Sequence, residues 1–285
     1  MKRLFKSPLF TIGFIILSFF LTVAVFGLFL APNDPEKTDI YNILASPSAV
    51  YPLGTDDLGR CILSRIITGC RTTLGAAIAV ESAIFVLGTL IGITAGYFGG
   101  KAEAAIVGVI DVFLAFPSLI LALVVAGLLG QGLGNLTTAM ICVYWVEHAR
   151  VARSMVRTLK EKQYIIASRA LGTSDPKILF RHILPHIMPS MLVYSVLNMP
   201  SVIIGISSMS FIGLGVNPPA AEWGSMLNEA RAYMNTNPLM MIVLICCIML
   251  SVACFQMIGE SMRDVFDPRH SQLGIKRRRR ARPNA

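Results

Sequence analysis

Charge is scarce in this sequence. Of its 285 residues only 14% are Asp, Glu, Lys or Arg, against roughly a quarter in an ordinary soluble domain, which argues against a conventional solvated surface. The patterns that carry chemistry are missing too. Six cysteines contain no C-x-x-C pair, so the common zinc and dithiol frameworks are excluded. There is no H-E-x-x-H, and His148, His182, His186 and His270 are separated along the chain. The stretch GYFGGKA, Gly96 to Ala102, falls short of a phosphate-binding loop: three residues instead of four separate its glycines, and no Ser or Thr follows Lys101. Asp56 and Asp57 lack the acidic spacing of a calcium loop. No inverted repeat of the kind that builds ion-driven carriers is visible. The expectation is a non-enzyme with no catalytic residue, no metal and no cofactor of its own. If it moves anything uphill, another subunit supplies the energy.

Apolar runs are what the sequence has instead. Hydrophobic residues make up 54% of the chain, and they fall in blocks too long for a soluble core. Leu9 to Ala31 contains no charge over 23 residues. At 1.5 Å per residue that is about 35 Å of helix, enough to cross a hydrocarbon layer of about 30 Å. The block is too long for a cleaved leader, and Pro32 follows it. Five further spans are expected near residues 73–98, 104–129, 136–157, 183–206 and 239–259. The fourth span is the most polar, since Glu147, Arg150 and Arg153 enter its second half. Six spans place both termini on one side. That side then holds 20 of the 25 Lys and Arg residues and leaves Lys37, Arg60, Arg65, Arg71 and Arg231 opposite. Such a bias marks it as cytoplasmic.

The net charge of +9 therefore calls for no nucleic acid; the basic tail Lys276 to Pro283 reads as a topology signal beside anionic lipid heads. Cys142, Cys246, Cys247 and Cys254 read as small apolar fillers, whereas Cys61 and Cys70 lie outside, nine residues apart, and a disulfide between them needs a break in any shared helix. Gly88, Gly92 and Gly96 recur every fourth residue and predict a close helix crossing. The cluster GQGLG, Gly130 to Gly134, predicts a tight turn. Glu81 and Asp111 are charges inside spans, and such residues face protein or water. Each either lines a path or makes a polar contact between helices. Glu147 is expected to pair locally with Arg150 or His148.

The most polar long stretch is YIIASRALGTSDPKILFRHILP, Tyr164 to Pro185. Before it, Arg150, Arg153, Arg157 and Lys160 form a basic stripe at helical spacing. Within it, Gly172 can take the left-handed conformation that ends a helix, Thr173 or Ser174 can cap a second short helix, and Pro176 is tolerated in its first turn. The product is an amphipathic elbow across the cytoplasmic end of the bundle, either resting on lipid or plugging into a soluble partner.

The elbow, from Gly172 to Leu184-Pro185, resembles the cytoplasmic signature loop of ATP-binding-cassette importer permeases. The family pattern opens Glu-Ala-Ala, where Ile166, Ala167 and Ser168 stand here, and His182 replaces the isoleucine two residues before Leu-Pro. Three other stretches are similar to the dipeptide, oligopeptide and nickel group of that family: Tyr51 to Gly75 (with Cys61 in place of the usual Asp), Ser210 to Arg231, and DVFDPR at Asp264 to Arg269. The length and single early helix resemble its "C"-type subunit. The resemblance implies an all-α, polytopic type I importer permease in a bacterial inner membrane. It divides into an N-terminal helix and external segment (1–71), a permease domain (72–262, with a coupling loop at 158–182) and a basic tail (263–285). The implied partners are a second, homologous permease, two ATPase subunits that bind ATP and Mg, and an extracytoplasmic binding protein. The ATPase contacts would be Ala167, Gly172, Thr173, Ser174, Asp175 and Pro176, with Glu81 and Asp111 on the path. Asp56, Asp57, Glu222, Trp223 and Glu229 would form the rim where the binding protein docks, or Trp223 would be an interface anchor. The cargo would be a short peptide, nickel or a metal chelate. A channel or ion-driven carrier is the rival that hydropathy alone permits.

Overall fold

The computed structural model describes residues 4–266, and all regular structure among them is helical. After a short turn at Leu4–Lys6 come α1 (Pro8–Leu30), α2 (Ile62–Phe98), α3 (Gly100–Leu114), α4 (Ser118–Leu129) and α5 (Leu133–Lys160). Two short helices follow, α6 (Gln163–Ala170) and α7 (Asp175–Ile178). A wide-wound turn, Leu179–Ile183, leads into α8 (Leu184–Met209), and α9 (Trp223–Arg231) and α10 (Pro238–Phe266) complete the chain. The tail Lys276 to Pro283 and the last three residues of DVFDPR (267–269) lie outside the described residues.

Among the described residues four helices are long and apolar enough to cross a membrane: α1, α2, the run through α8, and α10. Two of the six expected spans differ from expectation. Residues 104–129 do not form one helix: α3 and α4 meet at 88°, and only together do they make a fifth candidate. The cause is Pro117, which supplies no N–H and whose ring opposes the carbonyl four residues earlier. The apolar run continues unbroken through the bend, so hydropathy hides it. The other is α5, a full 28-residue helix too polar to qualify alone. Its polar groups are met by neighbours: Arg153 pairs with Glu103 of α3 at 2.6 Å, and His148 with Glu81 of α2 at 2.9 Å.

The tightest crossing is between α2 and α5. A Cβ added to Gly88 would lie 2.4 Å from the His148 Cβ, and one on Gly92 would lie 2.4 Å from the Ala149 carbonyl oxygen. The glycine stripe therefore lets the two backbones touch, as its spacing predicts. Around Leu74 and Ile84 of α2 and Met140 of α5 the main core gathers side chains of α1, α4, α8, α9 and α10, including Ile203 and Trp223. A second core, built on Ile93, Tyr97, Val156, Ile165, Ile178, Ile183 and Ile187, lies at the elbow end. The boundary expected between residues 71 and 72 falls inside α2, which is continuous from Ile62, and α10 runs past residue 263 to Phe266.

Candidate functional site at the two ends of the bundle

At the elbow end, α6 stops in a glycine-terminated cap. Gly172 has φ +78°; its N–H reaches the Arg169 carbonyl at 3.0 Å, and the Thr173 N–H reaches the Ser168 carbonyl at 3.2 Å. These two bonds satisfy carbonyls that the helix end would otherwise leave open. Ser174 occupies the position before α7, in an extended conformation, and Pro176 sits within its first turn. One side of the elbow is sealed: Ile165, Ile178 and Ile183 are buried against Ile93 and Val156. The other side is bare, with Leu171 86% and Phe180 69% exposed alongside Ile166 and Tyr164. Ala167, Gly172, Ser174, Asp175 and Pro176 are exposed and Thr173 is half-buried. Asp175 also makes internal bonds, accepting from the Tyr97 hydroxyl at 2.5 Å and lying 3.8 Å from the Arg169 guanidinium.

Midway along the bundle, Glu81 is buried in a polar junction of three helices. Its carboxylate lies 2.9 Å from His148 Nε2 on α5 and accepts from the Asn198 side-chain amide on α8 at 2.9 Å. Ser195 Oγ stands 3.2 Å from the same imidazole nitrogen. Glu81 thus makes a contact between helices. Glu147 does not pair with Arg150 or His148: the Tyr194 hydroxyl donates to it at 3.5 Å, because the His148 ring points to α2. Asp111 is exposed on the last turn of α3, with no side-chain partner among the described residues.

The opposite end corrects the expected docking rim. Asp56, Glu222 and Trp223 have no accessible surface in the chain, so they cannot present themselves to a docking protein, and Trp223 is not an interface anchor. Asp57 and Glu229 keep partial exposure. Instead these residues tie the end shut. The Arg60 guanidinium donates to Asp56 at 2.6 Å and to Glu229 at 3.0 Å. The fully buried Arg65 lies 3.3 Å from Asp56, donates to Glu229 at 3.1 Å and bonds the Pro219 carbonyl at 3.2 Å. Glu222 precedes α9 and accepts from the Gly224 and Ser225 N–H groups, each at 2.9 Å, and from the Thr73 hydroxyl at 3.0 Å. Burial pushes its carboxyl above the ordinary range, and these hydrogen bonds offset part of that rise. Burial also raises Glu229, against the pull of Arg65 and Arg60. The Trp223 indole donates to the Ile66 carbonyl at 3.0 Å and meets the Phe20 ring edge-on. Asp56, Asp57 and Glu229 lie close together; Arg60 donates to Asp56 and Glu229 and Arg65 to Glu229, whereas Asp57 Oδ1 stands 3.7 Å from Arg60 with no hydrogen-bond partner among the described residues. Cys61 and Cys70 are buried and free.

The partners that sequence reasoning missed are Arg60, Arg65, Tyr97, His148, Arg169 and Asn198. Each was visible only as a lone polar residue; an unpartnered Glu81 in an apolar run was the one signal that another helix must answer it.

A bundle of spans with a capped amphipathic elbow at one end is the architecture of a membrane permease subunit. The fold is that of a type I importer permease: a chain of the MetNI methionine transporter in an inward-facing conformation superimposes with a TM-score of 0.55 at 19% identity, over 71% of this chain and 97% of that one. Residues 88–271 match the binding-protein-dependent transport system inner membrane component family, and residues 1–47 match the N-terminal transmembrane domain of oligopeptide transport permease C. The nickel transport system permease protein NikC of Escherichia coli is 37% identical over 90% of this chain and 93% of its own length. The dipeptide permease DppC of Alkalihalophilus pseudofirmus is 35% identical over 94% and 88%, and the glutathione permease GsiD of Pectobacterium atrosepticum 38% over 87% and 83%. The chain belongs to the inner membrane component family of binding-protein-dependent transport systems, in its peptide and nickel group, and is a multi-pass inner-membrane permease of an ATP-binding-cassette importer.

Proposed function

We propose that this permease pairs with a second, homologous permease, carries two ATPase subunits on its elbow end, and passes a short peptide or a nickel chelate delivered by an extracytoplasmic binding protein. ATP and Mg are bound by the ATPase subunits; this chain contributes no catalytic group. The N- and C-termini lie in the cytoplasm, in keeping with the basic residues gathered there. One observation carries the reading: the elbow is seated on the bundle by one face and leaves Leu171, Phe180 and Ile166 bare on the other. A partner that fits that face better in one state than another biases the whole bundle between two conformations.

Asp111 supports the paired arrangement. A carboxylate turned to lipid costs about 2.5–3.5 kcal/mol on insertion scales, and Asp111 lies exposed beside Val109 and Val112, so that face of α3 belongs against protein or a watered path. For the cargo, the relatives are named for nickel, dipeptides and glutathione.

The test is uptake of nickel, nickel chelates, a dipeptide and glutathione into vesicles holding the complete complex and its binding protein. Vanadate-sensitive uptake of a peptide or chelate is expected. Vanadate-insensitive flux would instead indicate a channel or ion-driven carrier.

A further inference from the structure

The elbow's bare face concerns its partner; its sealed face concerns this chain. Most of that seal is apolar and non-directional, built from Ile165, Ile178 and Ile183. One directional contact stands among them. Tyr97, the next-to-last residue of α2 and almost wholly buried, donates its hydroxyl to the Asp175 carboxylate at 2.5 Å. That is the length of a charge-assisted bond, roughly twice as strong as a neutral one. Arg169, on α6, lies 5.2 Å from the centre of the same aromatic ring and 3.8 Å from the same carboxylate. Three residues from α2, α6 and α7, up to 78 positions apart in sequence, therefore close on one another. Apolar contacts allow a helix to slide; a hydroxyl, a carboxylate and a ring face meeting a guanidinium fix both register and angle.

We infer that Tyr97 and Arg169 are positioning residues that lock the elbow to the end of α2, so that the elbow and α2 move as one body. The inference rests on the elbow being the ATPase contact. Asp175 then serves two sides: one oxygen is held by Tyr97, while the half-exposed remainder of the carboxylate stays open to a partner. The lock joins the elbow to the helix that carries Arg65 and Thr73 at the far end, so an event at one end has a direct mechanical route to the other.

The test uses the complete complex in nanodiscs and reads ATP hydrolysis with and without its binding protein, which requires no knowledge of the cargo. Y97F keeps the ring and removes the hydroxyl. Its expected effect is a fall of roughly tenfold or more in the stimulation by binding protein, the range given by losing one hydrogen bond to a charged group, with complex yield and melting temperature near wild type. Asp175→Asn keeps an acceptor for the hydroxyl and is expected to retain more stimulation than Y97F; Asp175→Ala should lose at least as much as Y97F, since it also removes the part of the carboxylate open to the partner, and adding Y97F to it should cost nothing further. Wild-type stimulation in Y97F overturns the inference. So does a loss of stimulation that merely parallels a loss of melting temperature across the set, since that is packing alone. A Leu171→Cys cross-link to the ATPase subunit separates the two readings. Its failure in an otherwise wild-type complex sinks the elbow's docking role, whereas its persistence in a Y97F complex of undiminished stimulation sinks the lock.

Discussion

At one end of the bundle two arginines and three carboxylates form a knot largely shut off from solvent. At the other, three isoleucines (Ile165, Ile178 and Ile183) and one tyrosine hydroxyl hold the elbow. The first kind of joint fails abruptly, because removing one charge strands its partner in a low-dielectric interior. The second fails gradually, since each apolar side chain contributes independently. On the proposed orientation the charge-tied end is the external one, and the elbow end, seated by apolar packing and fastened at one point by Tyr97, is the one a motor grips.

The comparison can be broken most severely at the elbow. Deleting Thr173–Lys177 should abolish uptake while leaving membrane insertion intact, measured as transport and as protein in the membrane fraction; retained uptake would remove the elbow's role in coupling. Next, Asp56→Ala leaves Arg60 and Arg65 to share Glu229 as their main carboxylate and should cost about 3 kcal/mol of stability, the low end for breaking a buried pair, read as a drop in thermal unfolding temperature in detergent. A loss near zero would mean that water reaches the cluster. A smaller effect tests the central crossing. Gly92→Ala forces a methyl against the Ala149 carbonyl and should cost about 1–3 kcal/mol, whereas Gly127→Ala, with nothing within 4 Å, should cost nothing.

The smallest effect concerns pH. The Glu222 carboxyl is raised on folding from an ordinary value of 4.5. A group so raised favours the folded state below its ordinary pKa and loses that contribution as pH rises through the folded value. Stability of the external end should therefore decline slightly as pH climbs above 4.5 toward neutrality. Glu222→Gln, which keeps an acceptor for the α9 N–H groups, should flatten that slope. An unchanged slope in the variant would assign it to another group.

What could be read in advance was local. The Gly172 cap, Pro176 in the first turn of α7 and the glycine stripe on α2 each depend on residues within a turn or two, and each stands where its spacing placed it; Ser174 takes the expected capping position but its side chain makes no cap bond. The Pro117 break was printed in the sequence but masked by apolar residues on both sides. The buried fate of Asp56, Glu222 and Trp223 was not legible at all. Arg60 and Arg65 meet Glu229 across more than 160 residues, and acidic residues beside a tryptophan in a loop look the same whether they face water or a buried arginine. Function was similarly divided: the elbow announced a coupling surface, while the residue that fastens it, Tyr97, reads as one more aromatic at a helix end.

α2 has 37 residues and no proline, whereas α8 carries Pro189 and Pro200. It is an unjointed strut about 55 Å long, rooted in the arginine knot and ending at Tyr97. A strut conveys tilt without needing a chain of side-chain rearrangements along its length. Substitutions on its lipid-facing middle should then be mute, and the sensitive positions should be its two tips and the face that carries Glu81, Gly88 and Gly92 against α5.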